Sequence, residues 1–167
     1  MMINTALVSF GMSGKVFHAP FIANNPNFNL VGSWERSTKN IEAAYPGTKS
    51  YASYEELLAD PIIDLVVVNS PNDTHFTYAK SALLAGKHVV VEKAFTVTAK
   101  EAEELDALAN TKGLKLAVYQ NRRYDADFLT LQKLIQEGEI GTIQDVQISF
   151  ERYRTTLSAK KYKESVT

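Results

Sequence analysis

Short apolar runs separated by helical patterns recur along this chain, and that alternation restricts its architecture more than any single residue does. The runs Leu65-Val66-Val67-Val68 and Val89-Val90-Val91 are continuous and β-branched. A strand with one wet face alternates apolar and polar residues, whereas an unbroken run is buried on both faces, as in a parallel sheet covered by helices on either side. The pattern predicts an α/β fold with strands at 5–10, 28–34, 65–69, 88–92 and 115–119. Ser53-Tyr54-Glu55-Glu56 and Thr98-Ala99-Lys100-Glu101 each set a hydroxyl three residues before a glutamate, the pattern of a capping box that opens a helix. Gly86, Gly113 and Gly138 follow helical runs and fit C-terminal caps.

With 167 residues, 45% hydrophobic and 22% charged, the chain is long enough for one good core and the beginning of another. A formal net charge of -1 offers no general attraction for nucleic acid or an anionic membrane surface, so neither is an expected partner. No apolar stretch approaches the roughly 20 residues of a membrane span. The amino terminus carries neither a basic leader nor a small-residue cleavage site, and a cytoplasmic setting is expected. With no cysteine and three scattered histidines, neither disulfides, thiol chemistry nor a structural zinc site is expected, and no metal is assigned.

The first expected strand runs into closely spaced glycines, Ser9-Phe10-Gly11-Met12-Ser13-Gly14, after which apolar residues resume at helical spacing. A buried strand that turns sharply into a helix leaves N–H groups unpaired at the helix start, and with the helix dipole these hold the pyrophosphate of a dinucleotide. The fingerprint G-x-G-x-x-G asks for glycine at position 9, where this chain has Ser9; Gly11 and Gly14 keep its second and third places. The phosphate loop of ATPases and kinases fits worse, because Ser9 replaces its first glycine and Val16 its magnesium-binding hydroxyl. An ordinary strand-to-helix turn is the competing reading of the glycines alone.

Glu35 closes the second expected strand, about 20 residues beyond Gly14, where a carboxylate accepts hydrogen bonds from the adenosine ribose in a βαβ nucleotide unit. It favours NAD, since it would repel a 2′-phosphate. Arg36 follows directly, with Lys39 close by, and these could instead clamp that phosphate with Glu35 swung aside, so NAD and NADP both stay open.

Ligands of open α/β sheets sit beyond the carboxyl ends of the strands. Here those ends carry Gly11 to Gly14, Glu35, Asn69-Ser70-Pro71-Asn72-Asp73-Thr74-His75, Glu92-Lys93 and Tyr119-Gln120-Asn121-Arg122-Arg123. Each has a bland alternative: Asn72, Asp73 or Thr74 as a helix cap, Glu92-Lys93 as a surface ion pair, the arginines as cover for a helix face. At successive strand ends of one sheet, the functional reading gains.

The segments Gly11-Met12-Ser13-Gly14-Lys15-Val16-Phe17-His18-Ala19-Pro20-Phe21, Ser70-Pro71-Asn72-Asp73-Thr74-His75-Phe76 and Ala85-Gly86-Lys87-His88-Val89-Val90-Val91-Glu92-Lys93-Ala94 resemble the Gfo/Idh/MocA oxidoreductases. That family is named for glucose–fructose oxidoreductase, inositol dehydrogenase and a rhizopine-catabolism protein, and the resemblance runs through nearly the whole chain. The run Tyr119 to Thr130 is similar to the branch that contains scyllo-inositol dehydrogenases. The resemblance implies a Rossmann-type doubly wound parallel sheet over residues 1–122. Residues 123–167 would be a connecting helix and the first strand of a second α/β domain. It also implies NAD or NADP as cofactor, a small sugar-like or polyol substrate, and these cofactor-binding residues: Gly11, Met12, Ser13 and Gly14 at the pyrophosphate; Glu35 and Arg36 at the ribose; Asn69, Ser70, Pro71, Asn72 and His75 toward the nicotinamide; Glu92, Lys93 and Asn121 beside it. Lys93 matches the lysine of the family's Glu-Lys-Pro motif and is the expected catalytic residue, since a cation beside a hydroxyl losing hydride stabilises the developing alkoxide.

Two positions depart from the family pattern. Ser9 replaces a glycine, which a small side chain tolerates. Ala94 replaces the proline after the lysine, and because a cis bond before a non-proline costs ~2.5–4 kcal/mol, Lys93-Ala94 is expected to be trans. The chain is also shorter than the family, whose Asp-x-x-x-His motif would lie past its last residue. Ile143 to Phe150 alternates like an edge strand, and a truncated product with that strand exposed, or paired in a homo-oligomer, is expected. The function expected is hydride transfer between nicotinamide and a sugar-like alcohol; a dinucleotide-binding module without turnover is the alternative.

Overall fold

A computed structural model describes residues 2–35, 37, 39–151, 153 and 155–156. The chain divides into two compact units, Met1–Asn121 and Arg122–Thr167. In the first, six strands form one parallel sheet: β1 (Ile3–Leu7), β2 (Phe28–Trp34), β3 (Lys49–Tyr51), β4 (Leu65–Val68), β5 (His88–Glu92) and β6 (Leu116–Tyr119). Their spatial order is β3-β2-β1-β4-β5-β6, and every pairing is parallel. The order reverses between β1 and β4, so the crevice of a doubly wound fold opens where the glycine loop leaves β1.

The unbroken apolar runs bury both faces, and successive residues go to opposite sides of the sheet. Ala6, Val8, Val66, Val68, Val89 and Val91 join one core cluster, with Leu57 of α3 (Tyr54–Ala59), Ala79 and Leu83 of α4 (His75–Leu84), and Leu105 and Ala109 of α5 (Ala99–Lys112). Leu7 and Val67 face the other way, with Ala19 of α1 (Ala19–Ala23) and Ile41 of α2 (Ile41–Ala44). One sheet thus divides two apolar layers, which is what the β-branched runs require.

The expected strand at 5–10 is shifted: β1 ends at Leu7, and residues 8–10 continue as a largely buried loop in which Val8 N–H still reaches the neighbouring backbone, Val67 O, at 2.9 Å. Strand β3 was not foreseen. Lys-Ser-Tyr carries no apolar run, and β3 lies so close to β2 that a Cβ on Gly32 would stand 2.0 Å from Lys49 O. The α5 capping box forms in full, Thr98 Oγ1 accepting from Glu101 N–H and Glu101 from Thr98 N–H. At α3 only half forms. Ser53 Oγ accepts from Glu56 N–H, but the Glu56 carboxylate is drawn instead to Ala52 N–H and Lys49 Nζ.

The second unit contains α6 (Ala126–Gln136), whose chain then turns through Gly138 and Gly141. The strand expected at 143–150 is absent there. No ladder partner faces it among the described residues, and Ile148 and Phe150 are exposed; backbone groups with no neighbour to pair with do not make a strand. No helix among the described residues is long and apolar enough to cross a membrane, and none of their His, Asp and Glu side chains form a cluster able to hold a metal ion.

Candidate active site

The crevice is built from the loops that leave β1, β4 and β5. Ser9 and Asn69 clamp the first two together: Asn69 Oδ1 accepts from Ser9 N–H at 2.9 Å, Asn69 Nδ2 donates to Ser9 O at 2.8 Å, and Ser9 Oγ donates to Asn69 O at 3.3 Å. The serine that breaks the fingerprint therefore closes a third bond of the clamp. Asn69 is itself buried.

The helical run after the loop begins tightly, with Lys15 N–H on Gly11 O, and opens as a π-turn over Gly14–His18, where Ala19 N–H reaches back to Gly14 O, before becoming α1 at Ala19. Gly14 is packed against the strand end. A Cβ there would lie 2.5 Å from Ser9 O and 3.1 Å from Asn69 Nδ2. Gly11 is different: a Cβ would meet only Ser9 Oγ, at 3.8 Å, and Gly11 faces solvent on the crevice side. Nothing among the described residues asks for glycine at position 11. A ligand that touches the backbone at such a point would, and a pyrophosphate is such a ligand.

Glu92 ends β5 with its side chain turned inward. Oε1 accepts from Ser13 Oγ–H at 3.0 Å and from His18 Nε2–H at 2.9 Å, and Oε2 accepts from Lys93 N–H at 3.2 Å. Burial pushes this carboxyl up, but the bonds from His18 and Ser13, the His18 charge and the Lys93 amide outweigh that and hold it below its ordinary range. Lys93, next in the chain, is exposed, and its ammonium has no ion-pair partner among the described residues.

The Lys93–Ala94 bond is cis, not trans as the missing proline led us to expect. Local packing overrides the intrinsic preference: the Ala94 and Phe95 carbonyls both face His75 Nδ1, at 2.8 and 3.3 Å. His75 Nε2 lies 2.9 Å from Ser70 O, and the ring is fully buried. His75 thus spans the loops after β4 and β5, with both nitrogens occupied by carbonyl oxygens.

Of the remaining expected site residues, Met12 is exposed on the glycine loop, Pro71 and Asn72 are exposed at the turn into α4, and Asn121 is half-buried after β6. Glu35 is half-buried at the end of β2, both its oxygens accepting from Asn40 N–H at 2.6 and 3.2 Å, so it folds back on its own loop. Arg36 lies outside the described residues. Sequence reasoning assigned no role to His18, which packs against Tyr119. Their rings meet at 4.4 Å between centroids, and Tyr119 OH donates to Phe17 O at 2.8 Å. The sole advance signal was a histidine four residues after Gly14, on the same inward face.

A sequence model of the oxidoreductase family with an NAD-binding Rossmann fold matches residues 3–120. The chain belongs to the Gfo/Idh/MocA oxidoreductases. It is 45% identical over 152 residues to the uncharacterized oxidoreductase YdgJ of Escherichia coli, covering 91% of this chain and 44% of that one. It is 38% identical over 158 residues to the scyllo-inositol 2-dehydrogenase (NADP(+)) IolW of Bacillus subtilis, covering 95% and 44%. A crystal structure of a Bacteroides fragilis protein superposes with a TM-score of 0.81 at 55% identity, covering 84% of this chain and 42% of that one. The chain thus spans a little under half the length of the relatives it matches.

Proposed function

We propose that this chain is the cofactor-binding part of an NAD(P)-dependent oxidoreductase that moves hydride between nicotinamide and a sugar- or polyol-like alcohol. One observation carries the reading: Gly11 leaves a backbone cradle open at the β1–β4 crevice, and Lys93, a lysine with no ion-pair partner among the described residues, stands at the end of neighbouring β5. A bound dinucleotide supplies the carbon that takes or gives hydride. The chain's own residues do the rest. Backbone N–H groups of Gly11, Met12, Ser13 and Gly14 face the pyrophosphate, while Ser70, Pro71 and Asn72 line the way to the nicotinamide. During oxidation the neutral amine of Lys93 takes the hydroxyl proton at Nζ, and the ammonium so formed stabilises charge on the substrate oxygen and gives the proton back during reduction. With no carboxylate partner among the described residues, that nitrogen is open to the task.

The polyol class is supported by the scyllo-inositol 2-dehydrogenase among the relatives, which is also an NADP(+) enzyme by name. Glu35, committed to Asn40 N–H, is not an obstacle to a 2′-phosphate in this arrangement, so both dinucleotides belong in the test. A dinucleotide at a hundredfold excess over its Kd adds about 2.7 kcal/mol of stability, a rise of about 5–10 °C in Tm for a chain of this size. Thermal melts with NADH and with NADPH therefore check binding and cofactor choice together. Lys93→Met keeps the shift and loses any polyol oxidation the wild type shows. No shift with either dinucleotide, or an active Lys93→Met, refutes the proposal.

A further inference from the structure

The glycine loop is not free to choose its own aim. Its inward face is tied at three places: Ser9 to Asn69, Phe17 O to Tyr119 OH, and Ser13 with His18 to Glu92. The last tie crosses from β1 to β5, the two strands that flank β4. Glu92 is 13% exposed and His18 4% exposed, so the bond between them is shielded from water. Gly14 and His18 sit four residues apart on one helical face, Gly14 against the Ser9–Asn69 clamp and His18 against Glu92.

We infer that Glu92 and His18 are positioning residues that set the direction of the pyrophosphate-binding loop, Glu92 acting through Ser13 and His18 and not by touching the cofactor. The inference deepens the proposed function and rests on it. Two hydrogen bonds converge on Oε1, from Ser13 and His18, and Oε2 receives the Lys93 amide, so one side chain indexes both the loop and the lysine. Tyr119 backs the His18 ring from β6 and keeps it in the plane that reaches Glu92. The sheet thereby transmits the position of β5 to the loop after β1.

The test separates the pyrophosphate from the nicotinamide. ADP-ribose, or its 2′-phosphate if NADPH proves the tighter dinucleotide, carries the pyrophosphate without the nicotinamide ring. His18→Leu removes the donor, and His18→Gln supplies an N–H that can reach the same carboxylate. His18→Leu should weaken ADP-ribose and the dinucleotide by the same factor, tenfold or more, and His18→Gln should recover binding to within threefold of wild type. Ser13→Ala, which cuts one surface-side bond and leaves the core intact, should weaken both ligands about threefold, and keeps the question open to measurement should His18→Leu fail to fold. Wild-type affinity in His18→Leu or Ser13→Ala, or a His18→Gln as weak as His18→Leu, overturns the positioning role alone. A wild-type chain that binds neither dinucleotide overturns both this inference and the proposed function.

Discussion

Gly11 and Gly14 occupy adjacent places in one fingerprint, yet their surroundings give them opposite responses to the same methyl group. At Gly14 an added Cβ stands 2.5 Å from Ser9 O, a backbone atom that already accepts from Asn69 Nδ2 at 2.8 Å. Relief requires the π-turn to move off the strand end, at about 1–3 kcal/mol for overpacking and about 1 kcal/mol for a weakened bond of the clamp. Gly14→Ala should therefore cost about 2–4 kcal/mol and lower Tm by about 5–15 °C. At Gly11 the nearest atom is Ser9 Oγ at an ordinary 3.8 Å, and the backbone is not left-handed. Alanine there restricts the unfolded chain and should stabilise the ligand-free protein by about 0.4–1 kcal/mol. The same methyl stands where the pyrophosphate must approach, so dinucleotide affinity should fall at least tenfold. Thermal melts without ligand, paired with fluorescence titration of NADH or NADPH, measure both quantities. A Gly11→Ala protein that melts as low as Gly14→Ala, or binds the dinucleotide like wild type, refutes the argument.

Asn69→Ala strips the clamp and leaves the Ser9 amide and carbonyl without their partners; the urea midpoint should report a loss of about 2–4 kcal/mol, and Asn69→Asp, which keeps an acceptor for Ser9 N–H but no donor for Ser9 O, should fall between. Because the folded Glu92 carboxyl sits below its ordinary range, its bonds from Ser13, His18 and Lys93 stabilise the fold at neutral pH, and that contribution is lost as pH falls through the carboxylate range. The stability gap between wild type and Glu92→Gln should accordingly persist from neutral pH down to about pH 4.5 and shrink below it. A gap independent of pH counts against an ionised Glu92. Thr98→Ala removes the side-chain half of the α5 capping box, the Oγ1 that accepts from Glu101 N–H, and should cost about 1 kcal/mol by chemical denaturation.

The parallel sheet was legible because its evidence is collective. Leu65 to Val68 and Val89 to Val91 could be satisfied only between two helical layers, and alternate members of each run do face different layers. What escaped was structure held by backbone approach and not by apolar patterning. Strand β3 is three residues with no hydrophobic run, paired because Gly32 lets Lys49 come close. The converse failure is Ile143 to Phe150, whose alternation is that of a strand but which has no ladder partner among the described residues. Periodicity states which face a strand would bury; it cannot supply the neighbour.

At the site, the residue types were readable and their partners were not. Ser9, Asn69, Glu92 and His75 all stood at strand ends in the sequence, but a linear spacing cannot say whether a polar group looks out at a ligand or in at another loop. All four look in. Asn69 holds Ser9, Glu92 holds Ser13 and His18, and His75 holds the Ser70 and Ala94 carbonyls, whereas Gly11 and Lys93 look out. The division follows from what a dinucleotide needs. Its pyrophosphate is recognised by backbone amides, which have no freedom to adjust once a ligand arrives, so their direction has to be fixed beforehand by side chains that spend their own hydrogen bonds on the loops. The fingerprint's first glycine asks only for a tight turn, and Ser9 meets that demand while adding a hydroxyl to the clamp. Positions 9, 11 and 14 thus answer three separate physical requirements, and the loss of one glycine removes none of them.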